Sequence, residues 1–247
     1  MLKIVWQKNI NYCATPRAFF TAHVNFRNFY RFFSFQVYIW NYFSAQMEEE
    51  AKNIMQQAKE LFLSRGFRNV TMDEIAQEMK ISKKTIYKHF ADKKALVTEV
   101  VNTHLCFTQN RVRCALDQEL NAIEQMMELN KCLAEIKSMV PQNILFEVEK
   151  YFPEAYKLID NHKENFVKKI IIENIGRGQK EGLYRTELNP EFIANMYLVC
   201  TNHIITSKHY AQPDYVSKVL PQFFLYHLHG IATERGLAII NESKSNL

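Results

Sequence analysis

Six lysines, Lys80, Lys83, Lys84, Lys88, Lys93 and Lys94, fall between positions 80 and 94, with Asp92 the single acid among them. Ser82, Thr85, Tyr87 and His89 are interleaved with them. Ammonium groups bind phosphate oxygens and make that binding salt dependent. Lysine also donates to guanine O6 and N7, and a threonine methyl touches the thymine methyl. Hydroxyl, phenol and imidazole groups add hydrogen bonds to a sugar-phosphate backbone. The chemistry open to this stretch is therefore attachment to a polyanion with some reading of base edges. A lysine run is also the ordinary composition of a solvated face, so the elements that carry it decide between the two.

Those elements are short helices. Thr71 stands before a run in which Ile75, Ala76 and Met79 form the buried side, and Glu74 follows it by three residues, the spacing of a reciprocal capping box. Ser82 caps the next helix, where Ile86 and Phe90 lie four apart on one face. Upstream, Ile54, Ala58, Leu61 and Phe62 give one apolar face to a helix that ends near Arg65-Gly66. Downstream, Asp92 opens a fourth helix with Leu96, Val97, Val100, Val101 and Leu105 facing inward. Three short helices and a longer fourth make a unit whose second and third helices form a helix-turn-helix.

Ala58, Leu61-Phe62, Gly66, Thr71, Ile75-Ala76, Ile81-Ser82, Tyr87, Phe90 and Lys93 stand in a combined pattern over residues 54–96. In that pattern the chain resembles the DNA-binding domain of the TetR family of bacterial transcriptional regulators. The resemblance implies a cytoplasmic repressor that holds an inverted-repeat operator of double-stranded DNA as a homodimer and is released by a small-molecule effector, with no cofactor. It assigns Lys83, Lys84 and Thr85 to base edges, and Thr71, Ser82, Tyr87, Lys88, His89 and Lys93 to contacts with the DNA backbone. Thr71 and His89 also have structural readings, as a cap and as a packed ring. Lys80 and Lys84 stand where many relatives carry glycine; Lys80 strains the turn if positive φ is required there.

The remainder reads as helix throughout, so the fold class is all-α: a helix-turn-helix domain at 47–94 followed by a helical regulatory and dimerisation domain at 95–247. Helical text resumes after Pro141 and again at Pro153, which suits a first helical turn. The stretch 166–175 is expected to be a helix that Gly176, Gly178 and Gly182 bring to an end. Asn189-Pro190 opens a helix through Phe192, Met196, Tyr197, Val199 and Ile204. A last long helix, with Pro221 inside it, is expected from about 214 to 235, stopping at Gly236. These last two helices are apolar over more than one face, which suits a two-fold dimer interface. Phe107, Met126, Phe146, Tyr156, Phe166 and Tyr197 are candidate linings of an effector pocket, against the alternative of ordinary core.

Composition narrows the rest. The formal charge of +5 says nothing about DNA, because five of the 31 basic residues and none of the acids precede Met47, which leaves 26 against 26. Residues 1–46 also hold 14 aromatics. They read as an extension upstream of a natural start at Met47, or as a basic aromatic segment for a membrane surface. The latter would make the chain a membrane-associated or protein-interaction module with a merely structural helix-turn-helix. Stable membrane insertion is not expected, since no apolar run reaches spanning length. Cys13, Cys106, Cys114, Cys132 and Cys200 are odd in number and scattered, which argues for reduced thiols. Cys200 with His203, and His227 with His229, are too few and too poorly spaced for a metal site. No catalytic motif is present, so no enzyme is expected.

Overall fold

A computed structural model describes residues 49–141, 144–206 and 215–244. The segment 1–46, with its two readings, lies outside the described residues. Helix α1 (Glu49–Arg65) buries Ile54, Ala58, Leu61 and Phe62. It stops at Gly66, whose φ of +87 is the left-handed conformation that glycine adopts freely. Phe67 then stacks on Phe62 with ring centres 4.7 Å apart.

Helix α2 (Met72–Glu78) starts at the expected capping box. The Glu74 amide donates to Thr71 Oγ1 at 3.2 Å, and the Thr71 amide donates to Glu74 Oε2 at 2.7 Å. Its end is a Schellman motif: the Ile81 amide donates to Ala76 O at 3.0 Å and the Lys80 amide to Gln77 O at 3.1 Å. That motif places Lys80 at φ +56, the one positive φ outside glycine among the described residues. A side chain there costs about 1–2 kcal/mol, which glycine avoids at some cost in chain entropy. Lys80→Gly is therefore expected to stabilise the protein by about 1 kcal/mol in thermal unfolding. Lys80→Ala, which keeps the strain, should show no such gain.

Helix α3 (Lys83–His89) begins where Ser82 Oγ accepts the Thr85 amide at 3.1 Å. Ile86 is fully buried and Phe90 nearly so, which fixes how α3 is turned. Asp92 Oδ1 accepts the Ala95 amide at 2.8 Å and opens α4 (Lys93–Leu116). Leu96, Val97, Val100 and Val101 are buried as expected, whereas Leu105 is only partly so.

The rest comprises α5 (Ala122–Ser138), α6 (Ile144–Tyr151), α7 (Pro153–His162), a π-turn (Lys163–Val167) and α8 (Lys168–Lys180), then α9 (Pro190–Thr206), α10 (Tyr215–Ile231) and α11 (Glu234–Lys244). Pro153 holds the first turn of α7. Two expectations fail here for a packing reason. Gly176 and Gly178 lie inside α8, and a Cβ on Gly178 would run into the Tyr184 ring; the helix ends at Gly182, φ +69. The expected last helix is split, because Arg185 takes the Ile231 carbonyl at 2.9 Å and Thr233 donates to Leu183 O at 3.0 Å. Gly236 does not stop a helix but sits within α11, where a Cβ would meet the Leu183 carbonyl.

One core joins α5, α8, α9, α10 and α11 through Ile123, Ile175, Leu183, Tyr184, Ala194, Leu228 and Ile240. Within it Asn174, 2% exposed, donates to Ala122 O and Gln125 Oε1, both at 2.9 Å, and Tyr184 donates to Ala122 O at 3.2 Å. A second core joins α4 and α5 through Val112, Ala115, Leu129 and Ile136. Among the described residues no strand forms; Tyr184 and Ala232 make an isolated bridge.

Candidate functional site

With Ile86 turned into the core, α3 presents Lys83, Lys84, Tyr87 and Lys88 outward, and Tyr87 is 48% exposed. Lys84 lies in the first turn, exposed, with no ion pair among the described residues. Lys83 pairs with Asp73 of α2. Thr85 is half-buried, its hydroxyl 3.0 Å from Ser82 Oγ. Thr71 is exposed and its hydroxyl donates to Glu74 Oε2 at 2.9 Å. The result is an edge of cations, hydroxyls and one phenol at the start and middle of α3.

Two of the expected backbone-contacting residues are turned inward. The His89 side chain is 7% exposed, and its Nε2 donates to Glu50 Oε2 at 2.7 Å, a strap from α3 to α1. That hydrogen bond, with the nearby Lys88 ammonium at 3.7 Å, holds the Glu50 carboxyl below the usual range. Lys93 Nζ donates to Arg68 O at 2.9 Å and lies 5.6 Å from the centre of the Phe152 ring. Burial pulls the Lys93 ammonium below its usual range.

Lys93 belongs to a clamp that sequence reasoning missed. Glu147 of α6 accepts the Arg68 amide at 3.1 Å, in the loop after α1, and a Cβ on Gly66 would lie 2.9 Å from its Oε1. The Arg68 guanidinium sits 5.2 Å from the Tyr151 ring centre, and Phe67 meets Phe152 edge-on at 6.1 Å. Through these contacts α6 grips the helix-turn-helix unit at the loop that leads into α2. The partners are 79 residues apart, and only the paired aromatics Tyr151-Phe152 hint at it in the sequence.

Deeper in the protein, α4, α5, the π-turn, α8, α9 and α10 surround a cavity of about 50 Å³. Of the six expected lining residues, Met126, Phe166 and Tyr197 are in its wall. The other three are not. Phe107 packs on the α4–α5 core, Phe146 is 61% exposed with Lys150 Nζ 5.6 Å from its ring, and Tyr156 faces Lys163 Nζ at 5.7 Å. The wall's polar side chains include Thr108, Asn130 and His162. His162 stacks on Phe166 at 5.1 Å and accepts from Gln109 Nε2 at 3.0 Å on its Nδ1. Burial pushes His162 down to about 4, so the ring is neutral at pH 7.

His227 packs against Tyr197 at 4.8 Å and Phe223 at 6.0 Å, and burial pushes it down to about 4 as well. Among the described residues no group of three His, Cys, Asp or Glu side chains converges for a metal ion. None of the described helices is long and apolar enough to cross a membrane. On the outside, Phe192, Met196 and Val199 of α9 are 61%, 44% and 63% exposed at spacings of four and three, and Tyr226 of α10 is 76% exposed. They form an uncovered apolar stripe along the α9–α10 pair.

Residues 54–100, from α1 into α4, match the family model for bacterial regulatory proteins of the tetR family. The chain is similar to the uncharacterized HTH-type transcriptional regulator YvaF of Bacillus subtilis, 25% identical over 155 residues, or 62% of this chain and 80% of that one. It is similar to the HTH-type transcriptional repressor KstR2 of Mycobacterium tuberculosis, 23% identical over 61% of this chain and 76% of that one. The solved structure of that ketosteroid transcriptional regulator superposes with a TM-score of 0.52, at 21% identity over 76% of this chain and 98% of its own. A putative transcriptional regulator from Saccharomonospora viridis, solved in complex with choline, has a TM-score of 0.60 at 22% identity over 76% and 100% of the two chains. The capped helix pair and its outward lysine edge coincide with the family match, and residues 54–100 form a DNA-binding domain of the kind found in bacterial regulatory proteins of the tetR family.

Proposed function

We propose that the protein is a cytoplasmic repressor that binds an inverted-repeat operator as a homodimer and leaves it when a small effector fills the α4–α5–α8 cavity. The observation that carries this reading is the orientation of α3. Ile86 and Phe90 lock one side of the helix into the core, and the opposite side offers Lys83, Lys84, Tyr87 and Lys88 to solvent. Residues in the first turn of such a helix reach base edges, so Lys83, Lys84 and Thr85 take the reading role. Thr71, Ser82, Tyr87 and Lys88 take the phosphate backbone. His89 and Lys93 serve by holding α3 and the head in place, through Glu50 and the Arg68 carbonyl.

In this proposal the head spans 47–94 and the regulatory part 95–247, with α4 continuous from Lys93 across the junction. The stripe on α9 and α10, the two helices expected from residues 189 and 214, supplies the two-fold contact, while α11 packs back on α5 and the α8–α9 connection. The protein acts by binding, without catalysis and without a cofactor. Effector binding favours one placement of the two heads, transmitted through α6 and its Glu147 contact, and shifts the equilibrium only by its differential affinity for the two placements. Selection from a pool of random duplexes tests the reading. An inverted repeat with half-sites roughly 34 Å or a multiple apart is expected; an asymmetric site or no enriched sequence would refute it.

A further inference from the structure

Met126, Asn130 and Leu133 of α5 line the cavity. Lys137 follows Leu133 by four residues, Asn130 by seven and Met126 by eleven. That spacing carries the same stripe of the helix one turn further. Leu133 is 39% exposed, so the stripe passes from the cavity to its mouth. One turn beyond Leu133, the Lys137 Nζ is shut off from water and has no hydrogen-bond partner among the described residues.

A sequestered ammonium without a partner is costly, and such a group near a recess is a functional-site candidate. Burial pushes Lys137 down to about 8, which leaves it mostly charged at neutral pH. Among the described residues the cavity wall contains no carboxylate to neutralise it. Apolar side chains such as Phe166, Ile170 and Leu133 dominate that wall, and they suit a hydrocarbon or ring.

We propose that the effector is a small amphipathic carboxylate, its apolar body in the cavity against Leu133 and Phe166 and its carboxylate paired with Lys137 at the mouth. This rests on the reading of the cavity as the effector site. A single lysine matches a single negative charge, and the free space of about 50 Å³ calls for a short body. Pairing satisfies the ammonium and shields it, so the anion gains over a neutral molecule of the same shape.

Calorimetry on the full chain with sodium hexanoate, hexan-1-ol and hexylamine tests this, because the three share one apolar body and differ in charge. Hexanoate is expected to bind at least tenfold more tightly than hexanol, and hexylamine least. Lys137→Met should equalise hexanoate and hexanol while leaving the hexanol affinity unchanged, and Lys137→Arg should retain the preference. Equal binding of hexanoate and hexanol by the wild-type chain, or a preference that survives Lys137→Met, overturns the assignment of the anion alone. If Lys137→Met does not fold, the wild-type comparison decides by itself. Absence of binding by all three, or hexanol binding unaffected by a cavity-filling Leu133→Trp, overturns the cavity reading and the anion with it.

Discussion

Replacing Lys83 and Lys84 together by alanine is expected to lower operator affinity about 30- to 20,000-fold in a mobility shift, with helicity and melting temperature unchanged. Each good contact from a side chain to a base edge is worth about 1–3 kcal/mol, and 1.4 kcal/mol is tenfold. Both side chains are exposed, on the face of α3 opposite Ile86. Lys84 has no ion pair to lose among the described residues, and Lys83 gives up only a surface pair with Asp73, which contributes little to stability. The effect therefore falls on DNA and not on folding. The two single variants separate the roles: Lys84→Ala should relax base preference within each half-site, whereas a purely uniform loss would move Lys84 to the phosphates.

The second large effect is expected at the α9–α10 stripe. Phe192→Asp with Val199→Asp should convert the protein to a monomer by light scattering and reduce operator binding at least 100-fold. Burying an apolar side chain of this size contributes about 2 kcal/mol, and a two-fold contact counts each of them twice. Two carboxylates facing their own symmetry mates remove that gain and add like-charge repulsion. Both positions are exposed in the single chain, so the monomer itself should keep its helix content. A dimer that survives the double substitution would place the contact elsewhere.

What was legible in the sequence was local. Thr71 and Glu74 are three residues apart, as are Ser82 and Thr85, so the caps of α2 and α3 could be read from spacing. Ile75, Ile86 and Phe90 were legible as core because a short helix has only one apolar side to offer. The positive φ at Lys80 was legible as a consequence of the turn that must follow α2.

Non-local contacts were not legible. His89 looks like a surface cation until Glu50, 39 residues away, is brought beside it. Lys93 looks like a phosphate anchor until the Arg68 carbonyl and the Phe152 ring enclose it. Gly178 and Gly236 read as stops, but each is needed for close packing, against the Tyr184 ring and the Leu183 carbonyl. Phe146 and Phe166 are equivalent as letters; only the packing of α6 and of the π-turn puts one outside and the other in the cavity wall.

A photoreactive benzoylphenylalanine placed singly at Tyr87, Phe192 and Phe146 tests the assignment of faces most directly, since all three are exposed aromatics on different surfaces. On irradiation with the selected duplex, the probe at 87 is expected to join the chain to DNA and the probe at 192 to join two chains, while the probe at 146 does neither. A DNA adduct from 146 or 192, or none from 87, would contradict the placement of α3 against DNA.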